Sequence, residues 1–376
     1  MQKTEFNFFD YLSWRGDLSF ENSPFNEVDG LILCAVVYLN FDGILADSFQ
    51  NKKTFEEVSN EFVNLSDYNE RSFLGAMINK DTARLLQVCA LTKRFSQIKV
   101  CGYREIFDKE KEEQFAALTF ILDDKKQTRV VVFRGTDDSL TGWKEDFNLA
   151  YKPVIPSQLH ALEYLENAYK SLHGEFIVAG HSKGGNIAVY SAMNSKRWFF
   201  GDIKNVYNYD GPGFSVDVIC SKEFNSIKDK ILTFYPSFCI IGSLFYHDDT
   251  FTIVSSTNNT FMQHDPFSWK IEQNTFVKAQ EFAKQSVVIS DVSNKWINQV
   301  PVEEKEKFIN TFFGVVKATG EICINGLVKN LVSTGTKVVS AMAKLPADQR
   351  KQFTNMFNLF KKFMLEGLPV LHKKNT

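Results

Sequence analysis

The sequence predicts an α/β fold built on a mainly parallel central sheet, and three observations carry that reading. From about residue 116 to 300, short apolar runs of strand length alternate with amphipathic helical stretches. One of these runs, Phe176 to Ala179, ends in Gly180-His181-Ser182-Lys183-Gly184-Gly185 and passes at once into a helical pattern. An aspartate and a histidine, Asp210 and His264, then follow at the ends of later strand runs.

Composition bounds the rest. The chain has 376 residues, 44% of them hydrophobic, enough for one large domain with additions or for two domains. A formal net charge of -2 without a long basic run excludes a surface that tracks phosphates, so no nucleic-acid partner is expected. The stretch Met1 to Asn7 lacks a basic segment followed by an apolar one, and no later segment offers about 18 uninterrupted apolar residues, so neither export nor membrane spanning is expected. Cysteines 34, 89, 101, 220, 239 and 323 are scattered without Cys-x-x-Cys or tight metal spacing, which fits free thiols in a reducing cytoplasm. No ligand cluster suggests a metal or an organic cofactor. The 36 phenylalanines read as a Phe-rich core.

Taken in order, residues 1–115 read as a helical segment packed on the core. An apolar helix runs from about Gly30 to Tyr38, with Asn26 able to cap it and Glu27 and Asp29 suiting its first turn. Segments 54–64 and 79–94 are amphipathic, the first through Phe55, Val58 and Phe62, the second through Leu85, Leu86, Cys89 and Ala90. From Ala116 the period changes, and 116–300 reads as the sheet-bearing core. Leu118 to Leu122 and Arg129 to Arg134 form a hairpin around Asp123-Asp124-Lys125-Lys126. A helix from Gln158 to Leu172 leads into the strand before Ser182. Val206 to Tyr209, Ile231 to Tyr235 and Thr250 to Ser255 are the later strands. From about 303 helices take over, so 301–376 is a helical extension. Phe308, Phe312, Val315 and Val316 make one face, and Phe353, Met356, Phe357, Phe360, Phe363 and Met364 another. Lysines beside the second face allow contact with a membrane surface, while packing on the body or on a second copy of the chain is the commoner use of such a face.

Gly180-x-Ser182-x-Gly184 between strand and helix has the layout of a nucleophile elbow, and the order Ser182, Asp210, His264 along successive strand ends is that of the α/β-hydrolase fold. A serine needs a base that titrates near neutral pH, which selects histidine. His181 is aimed away from its neighbour's hydroxyl, His160 and His173 flank the preceding helix, and His372 lies in the tail. His247 and His264 are left, with His264 preferred because its loop follows the strand at 250–255 and can fold back over Ser182. Asp210, in the turn Asp210-Gly211-Pro212-Gly213-Phe214, is the candidate acid, with Asp248, Asp249 and Asp265 as rivals. The oxyanion would be met by the backbone N–H of Lys183 and by the backbone and hydroxyl of Thr136 in the Gly135-Thr136 loop.

Val132-Phe133-Arg134-Gly135-Thr136, then Trp143 and Asp146, then Gly180-His181-Ser182-Lys183-Gly184-Gly185, resemble the class 3 (fungal-type) lipases over about residues 115–270. That resemblance implies an oxyanion role for Thr136. Asp10 to Asp17 and Gln263-His264-Asp265-Pro266-Phe267-Ser268-Trp269 extend the likeness to a bacterial family of unknown function related to those lipases. The chain departs from the class 3 pattern at Cys239-Ile240-Ile241-Gly242, where Asp-Ile-Val-Pro carries the acid. The Asp210 turn is instead similar to the acid-bearing turn of pancreatic-type lipases, one strand earlier.

The resulting expectation is a serine hydrolase of the lipase or esterase kind, acting through an acyl-enzyme on a small-molecule or lipid ester with an apolar acyl chain. Segments 137–143 and 238–245 are lid candidates. The competing expectation is a non-catalytic binding or scaffold protein on the same fold, discriminated by whether a carboxylate reaches Nδ1 of His264. The extension also allows a homo-oligomer.

Overall fold

Among the described residues, which in this computed structural model are 6–75, 78–320 and 331–372, eight strands form one sheet in sequence order. They are β1 (Lys53–Thr54), β2 (Lys99–Asp108), β3 (Glu113–Ile121), β4 (Arg129–Phe133), β5 (Phe176–His181), β6 (Ile203–Tyr209), β7 (Ile231–Pro236) and β8 (Thr252–Val254). β1 to β4 pair antiparallel and β4 to β8 parallel. With its crossover helices, this is an α/β-hydrolase arrangement.

Each parallel strand is added on the same side of the last, and right-handed crossovers then place their helices on one face of the sheet. Helices Pro156–Leu172, Lys183–Met193 and Lys222–Ile227 occupy that face. Strand alternation divides the core accordingly. Val131, Phe133, Phe176 and Val178 pack with Leu165, Ala168, Ile187 and Phe224. Val130, Val132, Ile177 and Ala179 point the other way, onto Leu31, Leu33, Leu85 and Leu86. The N-terminal helices are therefore the second layer of the sandwich. Their seam is fixed by Asp29, which receives Arg94 Nε at 2.7 Å and Nη2 at 2.5 Å and the Tyr11 hydroxyl at 2.8 Å, with both members of the ion pair fully buried.

Local capping explains several boundaries. Asn26 caps Glu27–Val36 in a reciprocal box with Asp29, and Thr54 does the same for Phe55–Val63 with Glu57. The expected start of the sheet at 116 is corrected. β1 and β2 precede it and β3 begins at Glu113, because Arg104, Glu105 and Asp108 give β2 a polar profile in which no apolar strand run stands out. The helical region also begins earlier than 303, at Lys284, where the β-branched run Val287-Val288-Ile289 obscures a helical period.

The extension contains helices Lys284–Gln299, Val302–Ala318, Leu331–Lys344 and Ala347–His372. Val288, Val292 and Trp296 pack with Phe308, Met356 and Leu359, and the Phe308 and Phe353 rings stack at 5.0 Å. Phe353 and Met356 thus meet the neighbouring helices, while the side chains of Phe357, Phe360, Phe363 and Met364 lie outside the described residues. Among the described residues no helix is long and apolar enough to cross a membrane.

Candidate active site

Ser182 leaves β5 at φ 59°, ψ -132°, a left-handed conformation that a side chain adopts at a cost of about 1–3 kcal/mol. The strand and helix that flank it cross so closely that a Cβ on Gly180 would sit 2.0 Å from the carbonyl oxygen of Gly184, and one on Gly184 2.2 Å from that of Phe133. Only glycine fits at either place. Helix Lys183–Met193 starts immediately, so its first backbone N–H groups surround the serine.

Asp210 ends the adjacent strand, β6, also at positive φ (50°), and its N–H donates to the Phe234 carbonyl at 2.8 Å. Its carboxylate is almost wholly buried and fully engaged. Oδ1 accepts Cys239 Sγ at 3.0 Å and the Gly242 N–H at 3.1 Å, and Oδ2 accepts His264 Nδ1 at 2.6 Å. A carboxylate can only accept, so Nδ1 of His264 carries the proton and Nε2 keeps a free lone pair. Cys239, the residue at the departure from the class 3 pattern, supports the carboxylate from the loop after β7.

The motif around His264 builds its own loop. Gln263 Oε1 accepts from Ser237 Oγ at 3.0 Å and Phe238 N–H at 2.8 Å, while Trp269 Nε1 donates to the Gln263 carbonyl at 2.9 Å. Asp265 caps the turn Pro266–Ser268 and accepts Asn79 Nδ2 at 2.7 Å. Asp265 is thereby occupied elsewhere. Asp248 and His247 line a different cavity, where His247 Nδ1 accepts the Tyr235 hydroxyl at 2.6 Å and burial pushes the ring's pKa down to about 4. Of the expected candidates, Ser182, His264 and Thr136 line one cavity of about 140 Å³, with Asp210 directly behind His264. Among the described residues no hydrogen bond joins Ser182 Oγ to His264; catalytic contacts of this kind commonly tighten only once substrate is bound.

Thr136 differs from its expected role in one respect. Its hydroxyl donates to Asp146 Oδ2 at 2.6 Å, which leaves the backbone N–H as the group free to meet an oxyanion while Asp146 is ionised. Burial pushes the Asp146 carboxyl up to about 6 against the opposing pull of Lys183 and of the Thr136 hydrogen bond. Lys183 carries a second interaction that its backbone role did not suggest. Its buried ammonium donates to Glu145 Oε2 and the Gln114 carbonyl, each at 2.7 Å, tying the elbow helix to Leu140–Asn148 and to β3. Glu145 also accepts from the N–H groups of Gln114 and Ser157.

His181 and Tyr38 were not singled out from the sequence as parts of the site. His181 Nε2 donates to the His264 carbonyl at 2.9 Å, so its Nδ1 accepts the Tyr38 hydroxyl at 3.1 Å. The two imidazoles lie 4.6 Å apart. Burial first, and the neighbouring His264 second, push the His181 pKa well below the ordinary histidine range. The available signal was a pair of polar residues inside buried runs, each needing a partner. Trp143, Phe238, Ile240 and Ile241, from both expected lid segments, complete the cavity wall. Among the described residues no cluster of histidine, cysteine and carboxylates could hold a metal ion.

A family model described as Mbeg1-like matches residues 89–314. No curated protein matches the chain. Similar solved structures include a mutant form of MDLA from Penicillium cyclopium, at 11% identity and a TM-score of 0.37, covering 66% of this chain and 84% of the other. A fungal lipase shares 13% identity over 73% of this chain and 90% of its own, with a TM-score of 0.38. The native Rhizomucor miehei lipase propeptide complex shares 15% over 60% and 82%, with a TM-score of 0.31. Likeness at this level carries no information about a substrate.

Proposed function

The chain belongs to the Mbeg1-like family, and from the residues gathered at the ends of β5 and β6 we propose that it is a serine hydrolase cleaving a carboxylic ester through an acyl-enzyme. The observation that carries the proposal is the 2.6 Å contact between Asp210 Oδ2 and His264 Nδ1, beside a cavity shared by His264 and Ser182.

In this reading His264 Nε2 takes the proton from Ser182 Oγ as the serine attacks the ester carbonyl. The Asp210 carboxylate holds the tautomer and stabilises the imidazolium that forms. The oxyanion meets the N–H groups of Lys183 and Thr136, and each such donor is worth about 3–4 kcal/mol in the transition state. The imidazolium returns its proton to the departing alkoxide, and the same base then activates water to release the acid and restore Ser182. The apolar walls favour an apolar acyl group.

A non-catalytic binding role is disfavoured by the same contact, because a binder has no use for a histidine held in the base tautomer beside an elbow serine. The experiment is ester turnover by the purified chain against Ser182→Ala. Hydrolysis by the wild type that disappears in the variant supports the proposal, and equal rates for both contradict it.

A further inference from the structure

The cavity beside Ser182 has a size and a charge that can be converted into a substrate class. Resting on the hydrolase reading above, we propose that the chain acts on neutral esters with a short acyl group, about four to six carbons long, and discriminates against long-chain and anionic acyl groups.

Size is the first argument. The cavity volume is about 140 Å³. An apolar protein cavity of about 150 Å³ takes up one benzene molecule, so the space suits about six carbon atoms. Pockets that bury larger, drug-sized ligands run to about 300–1,000 Å³. Among the described residues its apolar lining includes Ile78, Phe238, Ile240, Ile241, Phe267 and Phe261, the last of them 55% exposed. Phe267 is held in place by Phe8, 5.1 Å away edge-on, so that side is a fixed wall. Phe238 is held through its own N–H by Gln263.

Charge is the second argument. Among the described residues no lysine or arginine side chain lines the cavity, and its ionisable groups there besides the two histidines and Tyr38 are Asp146 and Asp265. Asp265 is turned to Asn79 and the Phe267 N–H. Trp143 Nε1, buried without a hydrogen-bond partner among the described residues, is a neutral donor. An acyl group bearing a carboxylate or phosphate would lose its water with no cation to replace it and two carboxylates nearby.

The test uses the whole chain and p-nitrophenyl esters of two to sixteen carbons at one fixed pH, together with the monoanionic succinyl ester. Fluorophosphonate labelling of Ser182 runs alongside, so that a chain that fails to label overturns the hydrolase reading itself. With labelling established, kcat/KM is expected to be highest at butanoate to hexanoate and roughly tenfold or more lower at dodecanoate. The succinyl ester is expected to be roughly tenfold slower than butanoate. Ile241→Ala and Phe238→Ala, both half-buried loop positions, are expected to move the optimum to longer chains. A wild-type optimum at twelve to sixteen carbons, a flat profile, or no turnover of any ester by a chain that labels would overturn the size limit. A succinyl ester that matches butanoate would overturn the requirement for neutrality.

Discussion

His181 Nε2 donates to the backbone carbonyl of His264 at 2.9 Å, so the residue before the elbow serine holds the main chain of the proposed base. Tyr38 fixes the other end of the same ring. Two segments far apart in sequence are joined through one neutral imidazole.

His181→Leu is therefore expected to lower kcat/KM by roughly 10- to 100-fold, the usual cost of losing a group that orients a catalytic residue. The loss should fall mainly on kcat, and His181→Gln, which keeps a donor near Nε2, should restore most of it. Steady-state kinetics checks this. Equal rates for wild type and His181→Leu, or an equal loss in both variants, would contradict a positioning role.

Asp210→Asn leaves the shape of the turn intact but offers His264 Nδ1 an amide in place of a carboxylate. The expected loss in kcat is about ten-thousandfold, the magnitude seen when a triad acid is made neutral. Asp248→Asn should leave kcat unchanged, since Asp248 lines a separate cavity. A large loss in the second variant and not the first would move the acid.

Asp146 stands at about 6 in the folded chain against an ordinary 3.8. The folded state holds this proton more tightly than the unfolded one, so ionisation disfavours the fold, beginning as pH rises past 3.8 and complete above about 6. Asp146→Asn keeps an acceptor for the Thr136 hydroxyl and removes the penalty. The variant should gain up to about 3 kcal/mol at neutral pH, and the gain should vanish below about pH 4. Urea unfolding across that range measures it, and a difference independent of pH would contradict the assignment.

The Lys183–Glu145 pair is buried on both sides. Lys183→Met strands a buried carboxylate and is expected to cost about 3–5 kcal/mol in unfolding free energy. Adding Glu145→Gln removes that charge, and although the amide's single oxygen can serve only one of the N–H groups of Gln114 and Ser157, it should recover part of the loss. Denaturant unfolding of the two variants decides it; a double variant less stable than the single would contradict the electrostatic account.

The elbow and the later strands were legible because each depends on local chemistry, whereas the sequence left the partner of His264 open between Asp210 and its rivals. Glycines at 180 and 184 are imposed by a close crossing, and the apolar run of β5 is imposed by burial on both faces. The strand β2 was not legible, since its exposed side carries charge. Nor was the clamp from Tyr38 through His181, which joins residues 143 positions apart. Asp146 stood in the sequence beside Trp143, yet its bond to Thr136 becomes visible only when the helix Leu140–Asn148 is laid against the loop after β4.

The most direct measurement is fluorophosphonate labelling of the intact chain followed by mass mapping of the modified residue. A single adduct on Ser182, abolished in Ser182→Ala and strongly slowed in His264→Ala and Asp210→Asn, is the result expected of an elbow serine served by that base and that acid. No adduct on the folded chain, or one at another residue that persists in Ser182→Ala, would contradict it.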